Sequence, residues 1–358
     1  MKTVRTIFLF VLTAFLVVSF TSCNTGRQDN KVAFSFRGES SSFVESDQGI
    51  YWVSYVSNDA GTATYYISSF DKNGKKNWEI KPGRGGQVYP LKDGRFFYAQ
   101  DDAVSAYDKQ GKIIWETDVE GSSNSNYSLN QKEELVVNLL SSPQTSTVYC
   151  TIRIDGEKTT YPAIPDLTSC FTYPYPLGGY ITEGFTGGDN YKWYVSRLKE
   201  DFSVEWTYSG EADEGNFYIS DISADGRILF TGTREGGYFL RELGPDGKEM
   251  HIAKYAGTFI KAAYFQDKIV VAGDKARILK ADFRVEAEFG DLRYPQIQIL
   301  EDAAFIYTSG SYDINAAVRY DGYCQQYDQN SRQVSSQVFK ESDRFVAVGK
   351  DGRQYYRK

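Results

Sequence analysis

The sequence predicts an all-β protein: an eight-bladed β-propeller of four-stranded antiparallel blades, with seven blades as the alternative. Three observations lead there. Two stretches repeat one another, Phe70-Asp71-Lys72-Asn73-Gly74-Lys75-Lys76-Asn77-Trp78 and Tyr107-Asp108-Lys109-Gln110-Gly111-Lys112-Ile113-Ile114-Trp115. Each is the end of one strand, a polar glycine turn and a strand carrying Trp, so one unit is built repeatedly. Hairpins of that kind recur along the chain at a near-constant step, and no stretch sustains helical periodicity.

The hairpins, read as the second and third strands of successive units, begin with Gly49–Ser57 against Thr62–Phe70, and Gly94–Gln100 against Ala103–Tyr107. Then come Glu134–Leu140 with Thr145–Ile154, Gly179–Phe185 with Tyr191–Leu198, and Gly226–Thr233 with Gly237–Leu243. Lys268–Gly273 with Ala276–Lys280, Ala303–Ser309 with Ile314–Tyr320, and Arg344–Val348 with Arg353–Tyr356 complete the set. The later strands of these pairs end at steps of 37, 47, 44, 45, 37, 40 and 36 residues, close to the ~40–45 residues of a propeller blade. Asn73-Gly74, Gln110-Gly111, Asp155-Gly156, Asp246-Gly247 and Asp321-Gly322 each fall just after such a strand, where glycine supplies the positive φ of a tight turn. One segment, Val32–Arg37, precedes the first unit without a unit of its own. Paired with the C-terminal blade it would close the ring and remove a dangling sheet edge. Seven blades follow instead if one unit is wrongly divided between Tyr320 and Val338. A pair of packed sheets would predict neither the regular step nor the spare strand.

Residues 1–22 read as an export signal: Lys2 and Arg5 precede an apolar run from Ile7 to Phe20, too short for a comfortable membrane span. The run ends at Phe20-Thr21-Ser22-Cys23, which resembles the lipobox of bacterial lipoproteins. That resemblance implies acylation of Cys23 and anchoring to a membrane. The alternative is ordinary signal cleavage with Cys23 an incidental thiol. Residues 23–31 form the tether and 32–358 the propeller. Loss of Lys2 and Arg5 with the acid-free signal takes the net charge from −7 to −9, which argues against nucleic acid as a partner. With 28 Tyr, 23 Phe and 5 Trp against 2 Met and 1 His, the composition suits pleated sheets. Cys150, Cys170 and Cys324 read as buried small hydrophobes; a Cys150–Cys170 bridge is allowed but not demanded.

The Asp…Gly…Trp hairpins resemble the repeats of the quinoprotein-type (PQQ-like repeat) β-propellers. Ala106, Asp108, Gly111 and Trp115 match that pattern most closely; Asp71, Gly74 and Trp78 follow, and Trp206 sits at the equivalent place. The resemblance implies that Trp78, Trp115 and Trp206 dock against neighbouring blades. An eight-bladed ring behind a lipoprotein signal also resembles the propeller lipoproteins of the outer-membrane β-barrel assembly machinery, which implies a scaffold and not an enzyme.

The chain presents no residues assignable to a quinone cofactor, a calcium site or a vicinal cysteine pair, so neither cofactor nor metal is expected. His251 is the one histidine and falls in a predicted outer strand, Glu249–Lys254; a two-histidine metal site within the chain is ruled out. Gly83-Arg84-Gly85-Gly86 precedes no helix that could supply a positive dipole end, and reads as a connecting loop. Tyr173, Tyr175 and Trp193 are the candidate ligand-contact aromatics. The leading expectation is a monomeric, lipid-anchored, non-catalytic scaffold for envelope proteins, on the outer membrane and facing the periplasm. The alternatives are a glycan- or small-ligand-binding lipoprotein and a degenerate quinoprotein-like enzyme.

Overall fold

The computed structural model describes residues 31–37, 39–57, 62–119, 126–140, 146–186, 192–210, 215–234, 236–291, 295–308, 311–313, 318–340 and 345–357. Among them are 34 strands and no helix. The first strand is β1 (Lys31–Phe34). The first blade follows as β2 (Glu39–Ser46), β3 (Gly49–Ser57), β4 (Ala63–Phe70) and β5 (Lys76–Ile80). The second is β6 (Gln87–Pro90), β7 (Phe96–Ala99), β8 (Ala103–Tyr107) and β9 (Ile113–Asp118). The third is β10 (Asn126–Leu129), β11 (Leu135–Leu140), β12 (Ser146–Ile152) and β13 (Lys158–Thr160), with β14 (Ile164–Pro165) also on β12. The fourth is β15 (Thr168–Pro174), β16 (Tyr180–Phe185), β17 (Trp193–Leu198) and β18 (Val204–Ser209). The fifth is β19 (Gly215–Ile222), β20 (Ile228–Arg234), β21 (Gly237–Leu243) and β22 (Glu249–Ala256). The sixth is β23 (Phe259–Phe265), β24 (Lys268–Gly273), β25 (Lys275–Lys280) and β26 (Val285–Asp291).

The seventh blade departs from the predicted pairing. After β27 (Gln296–Ile299) and β28 (Ala303–Thr308), the segments β29 (Ser311–Asp313) and β30 (Val318–Tyr320) pair only with each other. The partner of β28 is β31 (Gly322–Asp328), which β32 (Gln333–Phe339) follows. The hairpin expected between Ala303–Ser309 and Ile314–Tyr320 is therefore corrected: Asp321-Gly322 opens the third strand instead of closing it. The true turn, Asp328–Arg332, lacks glycine and places Ser331 at φ 62°.

The closing sheet is β33 (Phe345–Val348), β34 (Gln354–Arg357) and β1, so N- and C-terminal strands do close an eight-bladed ring. Two details differ from the expectation. The last hairpin holds the first and second positions of its sheet, not the second and third. Its turn bonds to the neighbouring blade like other first turns: Lys350 N–H donates to Glu45 Oε2 at 2.7 Å, as Lys92 N–H donates to Glu133 Oε1 at 2.6 Å. And β1 runs parallel to β34, Lys31 opposite Gln354 through Phe34 opposite Arg357. The direction is forced. β1 leads into the first strand of the first blade, as every fourth strand leads into the next blade, and second and fourth strands of an antiparallel sheet share a direction.

One turn recurs round the ring. In five residues, the first N–H donates to the fifth carbonyl and the fourth N–H to the first carbonyl, as in Asp108–Lys112, Lys199–Ser203 and Gly244–Lys248. The fourth residue has positive φ, the geometry of a type I turn followed by a left-handed residue. Between the third and fourth strands, that fourth residue meets the preceding blade mostly in two complementary ways. At Gly74 the closing strand lies over it, with Val32 and Ala33 nearest; at three other glycines a Trp from the preceding outer strand does. Trp78 covers Gly111, Trp115 covers Gly156 and Trp206 covers Gly247. Each indole N–H donates to the second residue of the same turn: to Lys109 O at 2.9 Å, Ile154 O at 2.9 Å and Pro245 O at 3.2 Å. In the fourth and sixth blades the turn residue is itself large and reaches back; in the seventh it is Ser331. Phe202 (φ 61°) is buried between Tyr149 and Tyr180, with centroids 4.5 and 4.4 Å away, and Phe283 (φ 64°) lies against His251. A left-handed non-glycine backbone is strained; burial of a whole phenyl ring, some 1.5–3 kcal/mol, offsets that cost.

Closure is an aromatic event. Phe34, fully buried, lies 5.1–5.2 Å from Trp52, Phe70 and Tyr355, and Phe36 stacks on Trp52 at 4.6 Å. β1 thus joins the last sheet to the first blade through rings as well as ladder bonds. Phe34→Ala is expected to cost roughly 3–5 kcal/mol of unfolding free energy in a urea titration, more than any single exposed substitution. Gly247→Ala would set a Cβ 2.6 Å from the Trp206 ring at φ 76°, a loss of roughly 1–3 kcal/mol. In a Trp206→Ala background the same change is expected to cost less, because only the backbone strain remains; equal costs in both backgrounds would deny the contact.

Candidate functional site

First-to-second and third-to-fourth strand turns lie on one face of the ring, by the alternation of strand direction. The opposite face carries the second-to-third loops and the inter-blade connections. That second face holds a cavity of about 750 Å³. Four successive blades line it, each with one aromatic ring: Tyr65 from β4, Tyr89 from β6, Tyr127 from β10 and Phe171 from β15. Strand ends and the connection Gly83–Gly86 supply the polar wall, through Arg84, Gln87, Gln100, Asp101, Asp102 and Asn126.

Two of the rings, Tyr89 and Tyr127, are tied in place through their hydroxyls. Tyr89 OH lies 2.9 Å from Gln87 Oε1 and 3.2 Å from the Tyr127 carbonyl, and Tyr127 OH donates to Gln100 O at 2.7 Å. Beneath the connection, Tyr98 OH donates to Arg84 O at 2.8 Å. Gly86 lets this loop lie on β7: a Cβ there would stand 2.3 Å from the Ala99 carbonyl. Arg84 Nη1 bonds both Asp102 oxygens at 2.8 and 2.9 Å, across two exposed side chains. Such a solvated pair contributes about 0–1 kcal/mol and can open to a ligand at little cost. Gly83-Arg84-Gly85-Gly86, read from the sequence as a plain connecting loop, thus forms part of the wall. Nothing local announces the site, since its rings come from four separate repeats.

Tyr175, expected among the aromatics with a face for a ligand, has none to offer. It is fully buried in a first turn, its hydroxyl donates to Gly226 O at 2.6 Å, and the Arg197 guanidinium sits 4.8 Å from its ring. Tyr173 is bonded to Glu183, and burial pushes its phenol up. Trp193 is half-buried, with Phe185 and Tyr218 at 5.7 and 6.3 Å. Cys23 lies outside the described residues. His251 lies on β22, its Nδ1 2.9 Å from Glu242 Oε2; Arg227 and Tyr264 bind the other oxygen of that buried carboxylate at 3.0 and 2.9 Å. Cys150, Cys170 and Cys324 are free thiols, and burial raises all three, Cys170 to about 11 and Cys324 to about 12. Unreactive thiols of this kind pack as small hydrophobes. Among the described residues, no group of three or more His, Cys, Asp and Glu side chains is placed to hold a metal ion.

No protein-family model matches the chain, and no curated protein is similar to it. Solved structures are. The Dos1 propeller superposes with a TM-score of 0.61 at 8% identity, over 90% of this chain and 91% of that one. The chain is a β-propeller. A eukaryotic initiation factor follows at TM-score 0.54 and 11% identity, over 85% and 79% of the two chains. The Pan2 WD40 domain of Neurospora crassa gives 0.51 and 12%, over 75% and 86%. These likenesses are of fold alone. BamB from Moraxella catarrhalis, at TM-score 0.49, 13% identity and 75% and 81% coverage, superposes too loosely to bear on function.

One titratable group stands apart from the cavity. Glu183 on β16 is buried, and desolvation raises its carboxyl to about 8 despite hydrogen bonds from Ile219 N–H and Tyr173. The folded state therefore holds a proton that the unfolded state releases near its ordinary 4.5. Between those values the native protein binds more protons, so this group's contribution to stability falls as pH rises from 5 to 8. Glu183→Gln is expected to remove that slope, read as urea midpoints at pH 5, 6, 7 and 8. An unchanged slope would place the proton elsewhere.

Proposed function

We propose that the protein is a non-catalytic, lipid-anchored propeller of the bacterial envelope that acts as a protein-interaction scaffold. One observation carries the reading. The outer strands of the first six blades each carry charge: Lys76 and Glu79 on β5, Glu116 and Asp118 on β9, Lys158 on β13, Glu205 on β18, Glu249 and Lys254 on β22, Glu286 and Glu288 on β26. The seventh, β32, reads Gln-Val-Ser-Ser-Gln-Val-Phe, carries none, and exposes its first six residues. Among the described residues it ends its sheet, with no strand paired on one of its edges. Charge is the usual guard on such an edge, and an unguarded one suits the addition of a partner's extended segment, main chain to main chain. The lipobox-like Phe20-Thr21-Ser22-Cys23 supports the envelope address.

Crosslinking pull-downs from native envelopes test the partner. Full-length protein is expected to capture an envelope protein, and Val334→Lys with Val338→Lys to abolish that capture without moving the melting temperature. No capture, or capture indifferent to the two charges, would sink the scaffold reading. Cys23→Ser is expected to move the protein from the membrane to the soluble fraction on cell fractionation.

A second reading, small-ligand binding, is favoured by the four-ring cavity on the loop face. Its volume lies within the ~300–1,000 Å³ of ordinary ligand sites.

A further inference from the structure

From the chemistry of the cavity we infer that it takes an uncharged saccharide. The inference rests on the small-ligand reading and is independent of the scaffold reading. A sugar ring is a plate with patches of C–H on its faces and hydroxyls round its edge. Each hydroxyl both donates and accepts. A site for such a plate needs flat apolar surfaces and, at its margin, planar groups able to satisfy neighbouring hydroxyls.

Both are present. Tyr65, Tyr89, Tyr127 and Phe171 form an arc of rings across four blades. The hydroxyls of Tyr89 and Tyr127 already have protein partners, so those two side chains are held in position before any ligand arrives. A pre-ordered wall spares the ligand the cost of ordering it. The margin carries the amides of Gln87, Gln100 and Asn126 and the exposed Arg84–Asp102 pair, which offers a fork of each kind. Gln87 Oε1 already accepts from Tyr89 and Asn126 Nδ2 already donates to the Cys170 carbonyl, so Gln87 presents its N–H groups and Asn126 its oxygen.

Charge narrows the class. Arg84 stands against Asp101 and Asp102 in the lining, an excess of one acid. Phosphate esters and acidic sugars meet repulsion there, and among the described residues no helix N-terminus offsets it. A purely apolar guest would strand the amides and carboxylates out of water without hydrogen bonds. A cationic amine is the remaining rival, because acids and aromatic faces also suit it. The amides of Gln87 and Gln100 discriminate against it: Gln87 Oε1 already accepts from Tyr89 OH, and an ammonium leaves the N–H groups of both facing a donor.

Isothermal titration calorimetry on the purified chain tests this. The probes are neutral hexoses, N-acetylhexosamines and their disaccharides, with glucuronate, galactose 6-phosphate and spermidine beside them. Saturable heat is expected for at least one neutral sugar and for none of the charged probes. Phe171, 45% exposed, and Asp102, also at the surface, can be truncated without opening the core. Phe171→Ala and Asp102→Ala are each expected to weaken that sugar about tenfold, ~1.4 kcal/mol, with the melting temperature unchanged. Binding of spermidine alone would overturn the saccharide assignment and leave the cavity a ligand site. Sugar binding untouched by both substitutions would place the sugar elsewhere. No heat from any probe would overturn the assignment and the small-ligand reading together, without touching the partner pull-down.

Discussion

The ring is shut at one junction, where the two ends of the described chain meet in one sheet. β33 and β34 alone would be a two-stranded ribbon, marginal in water, with the rings of Trp52 and Phe70 bare on the neighbouring blade. β1 solves both problems at once. It adds a third strand to the hairpin and lowers Phe34 and Phe36 onto that aromatic surface. The loop-face cavity is walled by blades one to four, and blade one is the blade on which Phe34 and Phe36 close.

The junctions between blades obey a volume rule more than a sequence rule. At three junctions Trp over glycine fills the space; at two others a Phe of the turn packs on rings of the preceding blade, Tyr149 and Tyr161 for Phe202 and His251 for Phe283. The apparent Asp…Gly…Trp unit therefore misleads in one respect: the glycine and the Trp of a single repeat do not touch. Trp78 meets the glycine of the following repeat, and so do Trp115 and Trp206. The repeat is a record of two half-contacts, each completed by a neighbour.

That explains what could be read from residues alone. Apolar runs between glycine turns located the central hairpins of six blades, because strands buried on both faces are continuous in hydrophobicity. The seventh was misplaced because its turn reaches the left-handed conformation with Ser331, where glycine was the signal sought. A parallel β1 could not be read from a pattern of period two, which is blind to direction. The cavity was illegible for another reason. Tyr65, Tyr89, Tyr127 and Phe171 each look like ordinary strand aromatics, and only the curvature of the ring gathers them. Tyr175, in a conspicuous Tyr-Pro-Tyr-Pro run, was conspicuous because it packs a turn, and its burial removes it from any surface.

Each Trp–turn contact has a giver and a receiver, and these contacts all point the same way round. The circle thus has a handed sense of travel, like a head-to-tail oligomer whose protomers happen to be covalently linked. No blade is privileged by its clamps as a beginning. New termini could be cut into any inter-blade connection, with the old ends joined, and every clamp would survive. Only the parallel seam at β1 would become an ordinary crossing.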